Sequence, residues 1–370
     1  MSASVSRKAA VAAAALVSLV AAACGSSSKA TTATTRAPSS TTAAPGGAAF
    51  SGCMVTDTGG IDDRSFNASS WQGLQDAKTA NSNIQIQFLP STSEADYVPN
   101  INALVGKKCG IVVTVGFLMG DATQAAAKAN PNQKFAIVDY NYMPSLSNVK
   151  GLIFNTAQAG FLGGYLAAGM TKSGTVATFG GQKLPTVTIY MDGFAEGVAY
   201  YNTKHSTSVK VLGWDETAQT GTFTGDFTDE GKGKSTTTAF IQQGADIIFP
   251  VAGNVGLGAA AAVQQAGNGV HMLWVDTDGC VSAPQYCSLF ISSVTKGIAV
   301  AVKQAVTDAA SGSFTGGNYV GTLANNGVGL APFNQFDSKV PSTLKSELSQ
   351  VKADIISGAI TIKSTSQPTS

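Results

Sequence analysis

Short apolar runs alternate along the chain with longer segments whose apolar residues recur at helical spacing, such as Trp71, Leu74 and Ala77. The runs lie at 53–56, 84–89, 111–115, 135–138, 152–154, 175–179, 209–212, 247–251, 272–275 and 289–292. This alternation predicts parallel β-sheets with helices on both faces. Ten runs are more than one ordinary doubly wound sheet uses, so we predict two α/β lobes.

The spacing of the runs gives a first estimate of the lobe boundaries. We place the first lobe at residues 50–155 plus about 275–335, where the chain returns to it. The second lobe takes residues 156–274 plus about 336–370, with a closing helix near 343–357. Segments of this size can each bury a hydrophobic core of their own.

The N-terminus has the features of an export signal over residues 1–24. Arg7 and Lys8 precede an apolar stretch, 9–23, that is shorter than the roughly 20 residues of a membrane span. Three alanines then precede Cys24, which is typical of a lipoprotein site at which Cys24 is lipidated. An ordinary Ala-x-Ala cleavage site is the alternative. Residues 25–49 are almost all Gly, Ser, Thr, Ala or Pro, which predicts a flexible tether.

The remaining cysteines and the charge limit the possible functions. Cys53, Cys109, Cys280 and Cys287 form an even set in an exported chain, so we expect two disulfides, with three pairings possible. No C-x-x-C pair is present and the chain has only 2 histidines, so we expect no metal site. The net charge of +1 gives no electrostatic footprint for nucleic acid.

Polar side chains follow several of the predicted strands. Asp57, Asp139, Gly253, Asp276 and Lys296 each come at or just after an apolar run. Ligands of open parallel sheets bind beyond the carboxyl ends of the strands, so we expect these residues to face one crevice. The alternative interpretation makes the two later aspartates turn residues and the lysine a solvated surface residue.

The loop after the first run carries the most specific pattern. Asp62, Asp63 or Ser65 can cap the helix that follows, which places Phe66 and Asn67 in its first turn. A ring and an amide at a helix start suit a flat heteroaromatic ligand, which stacks on the ring and hydrogen-bonds the amide. The alternative is a hydrophobic staple followed by a surface residue.

A second aromatic candidate, Phe194, lies within a predicted helix of the second lobe. If it faces the crevice, it could clamp a base against Phe66, and the alternative role is core packing.

The order of these motifs resembles that of the basic membrane protein family, lipoproteins typified by a purine nucleoside receptor. The opening segment TDTGGIDDRSFN at 56–67, followed by WQGL at 71–74, is similar to the opening signature of that family. Further matching segments are VGFL at 115–118, FAIVD at 135–139, GGYLA at 163–167, DGF at 192–194, QGADIIF at 243–249, VDTD at 275–278, SVTK at 293–296 and GVGLAP at 327–332.

The resemblance implies a type I periplasmic-binding-protein fold, with two doubly wound lobes joined by a three-segment hinge. It implies that Phe66 and Phe194 sandwich a base and that Asn67 and Asp139 hydrogen-bond it. It also implies a ribose side held by Asp57, Gly253, Asp276 and Lys296. The first and third strands are neighbours in that fold, which supports a Cys53–Cys109 disulfide.

These observations lead to a main expectation and two alternatives. We expect a lipid-anchored, extracytoplasmic binding protein of an ABC importer, a monomer without a cofactor, that binds a purine nucleoside and docks on separate permease subunits. One alternative is a receptor for a sugar-like solute, or for sensing. The other is a calcium-dependent nucleoside hydrolase, which is disfavoured because Thr56 and Thr58 replace two of its metal-binding acids.

Overall fold

The structure is a computed structural model that describes residues 49–267 and 269–368. These residues belong to one compact unit. The predicted signal segment, Cys24 and the tether up to residue 48 lie outside the described residues. Among the residues described, no helix is long and apolar enough to cross a membrane.

The elements follow the predicted alternation of strands and helices. The strands are β1 (Phe50–Val55), β2 (Ile84–Leu89), β3 (Ile111–Val115), β4 (Lys134–Val138), β5 (Val149–Phe154), β6 (Thr175–Gly180), β7 (Lys210–Leu212), β8 (Trp214–Asp215), β9 (Thr220–Gly221), β10 (Ile247–Val251), β11 (His271–Asp276), β12 (Phe290–Lys296), β13 (Gly317–Gly321) and β14 (Val328–Leu330). The helices are α1 (Phe66–Ala80), α2 (Tyr97–Gly106), α3 (Gly120–Ala129), α4 (Thr156–Met170), α5 (Pro185–His205), α6 (Glu230–Gln242), α7 (Val255–Ala266), α8 (Gly279–Ser282), α9 (Ile298–Ser311) and α10 (Ser342–Ser357).

Two sheets with the same strand order form the centres of two lobes. The first sheet has the order β13-β5-β4-β3-β1-β2, and the second has β14-β12-β11-β10-β6-β7. The first is parallel throughout, whereas β14 pairs antiparallel with β12 at the edge of the second. Because the orders correspond, β4 of one lobe and β11 of the other occupy equivalent places. Every predicted apolar run became part of a strand in one of these sheets.

The predicted lobe boundaries need correction in the last third of the chain. Both β11 and β12 belong to the second sheet, so the chain returns to the first lobe near residue 297 rather than 275. There α9 packs on α1 and β13 extends the first sheet, and the chain crosses again before β14. The apolar composition of β11 and β12 suits either sheet, and only their pairing partners decide between them. The lobes are thus joined by three connections, at 154–156, 296–298 and 321–328.

Glycines set the unusually close packing of α4 on α5 in the second lobe. A Cβ at Gly164 would strike the carbonyl of Phe194, and one at Gly197 would strike the carbonyl of Phe161. Both helices are long and largely buried, so this close approach fixes the position of α5 against the sheet. The N-terminal part of α5 is thereby held between the two lobes.

Both predicted disulfides are present. Cys53 in β1 forms a disulfide with Cys109, which lies two residues before the start of β3. Their Cα atoms are 6.0 Å apart. Cys280 bonds Cys287 and closes a short loop after β11. The first disulfide therefore links neighbouring strands of the first sheet, as the resemblance implied.

Candidate functional site

The carboxyl ends of the two sheets face each other across a cleft of ≈ 730 Å³, which includes space open to solvent. We call it the main cleft. The predicted ligand-binding residues that line it are Asp57, Phe66, Asn67, Asp139, Gly253, Asp276 and Lys296. Lining residues that the sequence analysis missed include Asp63, Tyr97, Phe117, Leu184, Val187, Tyr190 and Phe227.

The loop between β1 and α1 is organised by Asp63. Its carboxylate accepts the backbone N–H groups of Ser65, Asn67 and Ala68 at 2.7–3.0 Å, which are the donors that a helix start leaves free. Of the three predicted capping residues, Asp63 is therefore the one whose side chain caps α1. This cap fixes the first turn of the helix, so that Phe66 faces the main cleft.

Asn67 is buried, and its amide is used within the loop rather than left free for a ligand. Its Nδ2 donates to Asp57 Oδ1 at 2.6 Å and to Asp63 Oδ2 at 2.9 Å. Its Oδ1 accepts the backbone N–H of Asp57 at 3.2 Å. Both donor hydrogens are thus engaged, and the residue acts chiefly by positioning Asp57.

Asp57 lies at the edge of the main cleft with its carboxyl group largely enclosed. Burial raises the pKa of Asp57 to about 6, against the hydrogen bonds from Asn67 and from the Gly59 N–H, which lower it. The nearby carboxylates of Asp63 and Asp139 add to the rise. The group therefore changes its charge near neutral pH.

A network centred on Lys296 spans the space between the two sheets. Its Nζ lies 2.6 Å from Asp139 Oδ2 and 3.9 Å from Asp276 Oδ1, and Tyr190 donates its hydroxyl hydrogen to Asp276 Oδ1 at 2.8 Å. Lys296 is only 6% exposed, so it is not the solvated surface residue of the alternative interpretation. Burial raises the pKa of Asp139, and the Lys296 ammonium opposes that rise. One cation is thus held between carboxylates from both lobes.

The two aspartates of this network have the same backbone conformation. Asp139 has φ +67° and Asp276 has φ +66°, in the left-handed region that non-glycine residues seldom adopt. They come at the ends of the equivalent strands β4 and β11. Backbone conformations of this kind cluster at functional sites, and here each one turns its carboxylate toward the cleft.

The prediction that Phe194 lines the cleft is wrong. Its side chain is fully buried, with its ring centroid 5.4 Å from that of Phe249 in the core of the second lobe. Tyr190, one helical turn earlier in α5, lines the cleft instead, and Phe227 adds a second ring from a loop. The start of α5 at Pro185 is the signal that could have favoured Tyr190, because the residues nearest that start lie nearest the cleft.

Lys296 also contacts the aromatic rings on both sides of the cleft. Its Nζ lies 5.0 Å from the ring centroid of Phe66 and 5.5 Å from that of Tyr190. These distances are within the range of a cation–π contact. The lysine therefore brings together one ring from each lobe.

A third contact between the lobes lies at the rim of the cleft. The carbonyl of Arg64 accepts hydrogen bonds from Trp274 Nε1 at 3.4 Å and from Thr277 Oγ1 at 3.3 Å. Arg64 is in the loop of the first lobe, with φ +58°, whereas both donors belong to the second lobe. The loop before α1 thus touches the opposite lobe.

In the part of the chain that the structure describes, no cluster of three metal-ligating side chains occurs. Asp63 is occupied in capping α1, and Asp62 points to solvent as an exposed residue. Asp63 therefore serves here to start a helix.

Comparison with known proteins assigns the family. The family described as ABC transporter substrate-binding protein PnrA-like, or Bmp, matches residues 50–366. The chain belongs to this family. The ABC transporter nucleoside-binding protein BmpA of Lactococcus lactis is 30% identical over 329 residues, which cover 84% of this chain and 88% of that protein. Basic membrane protein A of Borreliella burgdorferi is 27% identical, with 83% and 86% covered.

Solved structures agree on the fold. An ABC transporter solute-binding protein from Aeropyrum pernix is 25% identical and superposes with a TM-score of 0.77 over 85% of this chain and 93% of that one. A solute-binding protein from Conexibacter woesei has a TM-score of 0.65 at 18% identity, which shows the fold alone. The chain is therefore an ABC transporter substrate-binding protein with the predicted two-lobed, type I periplasmic-binding-protein fold.

Proposed function

We propose that this family member binds a purine nucleoside in the main cleft. The observation that carries the proposal is the Lys296 network, which joins carboxylates and aromatic rings from both lobes around one cavity. The Lactococcus lactis relative is named a nucleoside-binding protein, which supports the same class of ligand. An aromatic base with a neutral, hydroxyl-rich sugar matches both the rings and the acids of the site.

The aromatic residues account for recognition of the base. Phe66 comes from the first lobe, and Tyr190 and Phe227 come from the second. A purine between Phe66 and a ring of the second lobe would gain stacking energy in addition to area burial. Asp139 would then hydrogen-bond the edge of the base, and Asn67 would act by holding Asp57 in place.

The charges of the cleft favour a nucleoside over a nucleotide. Asp57, Asp139 and Asp276 line the cavity, and Lys296 is the one cationic side chain among the described lining residues. A phosphate placed there would meet more carboxylates than cations, and it would lose its hydration without gaining a matching partner. Carboxylates instead accept strong hydrogen bonds from the vicinal hydroxyls of ribose.

Lobe closure would couple this binding to transport. The three connections between the lobes would serve as a hinge, and opening it would separate the Arg64 carbonyl from Trp274 and Thr277, which it contacts across the lobes. We propose that the closed protein, a monomer anchored to the outer face of the cell membrane through lipidated Cys24, presents the nucleoside to ABC permease subunits. A relative from Pyrococcus abyssi, 29% identical over 284 residues, is named a lipoprotein, which supports the anchor.

The test is a calorimetric titration of protein that has been unfolded and refolded to remove bound ligand. Guanosine, inosine, adenosine, uridine, cytidine and ribose are compared, and we expect the purine nucleosides to bind most tightly. Phe66→Ala should abolish that preference. Phe88→Ala is the matched control, because Phe88 packs its ring on Trp71 of the same lobe, with centroids 5.0 Å apart, outside the cleft. Binding of ribose alone, with equal affinity in both variants, would refute the assignment in favour of a sugar receptor.

A further inference from the structure

The C-terminal segment 362–367, which we call the strap, is fastened to the middle of α5. Glu196 accepts the backbone N–H groups of Lys363 and Ser364 at 2.8–3.2 Å. Ser364 also donates its hydroxyl hydrogen to Asp192, which is fully buried one turn earlier in the helix. The two carboxyl groups that hold the strap therefore lie on the same face of α5.

The other end of the strap contacts parts of the second lobe that shape the main cleft. The hydroxyl groups of Ser366 and Thr188 are hydrogen-bonded at 3.2 Å, in the first turn of α5. Tyr190, two residues further along that helix, lines the main cleft. Gln367 Oε1 accepts a hydrogen bond from Asn155 at 3.0 Å, in the first connection between the lobes. The strap therefore ties the cleft-lining start of α5 to that connection.

A pair of carboxyl groups underlies the attachment of the strap. The side chain of Glu196 is hydrogen-bonded to that of Glu216, in the turn between β8 and β9. Two carboxyl groups can form such a bond only when one of them carries a proton. Burial and the negative charges of Glu196 and Asp192 raise the pKa of Glu216 to about 8, and the Lys363 ammonium opposes this rise. Glu216 is therefore the donor, which leaves Glu196 as the anionic acceptor for the strap.

A second negative charge in this pair would lack compensation. Among the described residues, the charged groups that face the pair are Asp192 of α5 and Lys363 of the strap. Asp192 already accepts the side-chain N–H groups of Trp214 and Gln219, each at 2.9 Å. Lys363 is exposed to solvent. An ionised Glu216 would therefore repel the carboxylates of α5, and release of the strap would relieve the repulsion by exposing them to water.

We propose that Glu196 and Glu216 are positioning residues that hold the strap on α5 while they share one proton, and that the strap in turn steadies the cleft-lining start of that helix. Loss of the shared proton frees the strap and weakens ligand binding. This inference goes beyond the proposed function, because attachment of the strap can be measured without a ligand, and only its effect on affinity rests on that function.

Raising the pH should release the strap. A carboxyl group with a raised pKa stabilises the attached state below its usual pKa of 4.5, and this contribution is lost as the pH rises through about 8. Glu216→Gln keeps a side-chain N–H that can donate to Glu196 and cannot ionise, so it should hold the strap over the whole range. Comparison of wild type with Glu216→Gln therefore isolates the effect of the shared proton.

The test is limited digestion of the protein with trypsin between pH 6.5 and 8.5, with cleavage after Lys363 followed by mass spectrometry. Cleavage needs local release of the strap, so its rate reports the released fraction. The ratio of the wild-type rate to the Glu216→Gln rate, which cancels the pH dependence of trypsin, should rise at least about fivefold over this range. Glu230→Gln, at an exposed acid of α6, is the matched control and should follow wild type. A constant ratio would overturn the proposal.

Calorimetric titration with adenosine, which keeps its charge over this pH range, tests the link to the cleft. Wild type should lose affinity relative to Glu216→Gln by about threefold or more between pH 6.5 and 8.5. Gln367→Ala, which removes the bond to Asn155, should weaken binding at both pH values. If both variants bind like wild type at pH 8.5, the strap does not act on the cleft and the proposal is wrong. If no nucleoside binds at all, the proposed function fails, and the cleavage ratio still decides whether the proton holds the strap.

Discussion

Replacing Asp57 with asparagine should stabilise the protein relative to wild type, and this gain should be larger at neutral pH than at acidic pH. Asparagine preserves the shape of the side chain, and its Oδ1 can still accept the hydrogen bonds from Asn67 and from the Gly59 N–H. The substitution therefore removes the titrating charge and leaves the loop intact. The effect comes from the raised pKa of Asp57 in the folded protein.

The size of the effect follows from the pKa shift. The pKa of Asp57 rises from 3.8 to about 6 on folding. A carboxyl with a raised pKa stabilises the folded state while it is protonated, and this contribution is lost as the pH rises through the folded pKa. By linkage, the raised pKa lowers the free energy of unfolding by about 1.6 kcal/mol at pH 5, where chiefly the unfolded state ionises, and by about 3 kcal/mol at pH 7.5. The free energy of unfolding of Asp57→Asn, minus that of wild type, should therefore increase by about 1.4 kcal/mol between these two pH values.

The assay is denaturant unfolding of both proteins at pH 5, 6, 7 and 7.5, without ligand, so that contributions of the other groups cancel in the difference. Asp62→Asn, in the exposed part of the same loop, is the control: it shows how much of the change in unfolding free energy comes from removing a negative charge anywhere in this loop. A difference between Asp57→Asn and wild type that stays constant across this range would refute the reasoning. It would mean that the carboxyl group of Asp57 is solvated in the folded protein.

Three further substitutions test other parts of the account. Lys296→Met leaves Asp139 buried without its counterion and should lower the free energy of unfolding by about 3–5 kcal/mol, measured by denaturant titration; a change below 1 kcal/mol would contradict the buried ion pair. Phe194→Ala should lower the free energy of unfolding by about 3–5 kcal/mol and leave ligand affinity, measured by calorimetry, unchanged, because the ring is in the core. Loss of affinity in the folded variant would indicate instead that Phe194 contacts the ligand. Tyr190→Phe removes the hydrogen bond to Asp276 and should weaken nucleoside binding about tenfold; unchanged affinity would show that this bond does not prepare the site.

Much of the fold could be predicted from the sequence, because buried parallel strands leave continuous apolar runs. The edge strands β13 and β14 were missed for the same reason: they are short and only partly buried, so no apolar run marks them. Local sequence pattern also could not assign β11 and β12 to a lobe, because that assignment depends on which strands they pair with.

The candidate site was predictable where the chemistry lies at the end of a strand. Asp139 and Asp276 follow apolar runs directly, Lys296 comes four residues after the end of one, and all three line the main cleft. Phe194 was misplaced because a residue's face on a long, largely buried helix is set by its packing partners, here the glycines of α4. Phe227 was missed because it lies in a loop, and hydrophobic periodicity does not predict the conformation of a loop.

The most direct test of the central claim compares inosine with inosine 5′-monophosphate as ligands of the refolded wild-type protein. The acid-rich cleft between Phe66 and Tyr190 predicts that inosine binds and that the added phosphate weakens binding by at least about 100-fold, since its charge would be buried without a partner. Equal or tighter binding of the monophosphate would contradict the account, because the carboxylates of Asp57, Asp139 and Asp276 could then not be the groups that face the ligand.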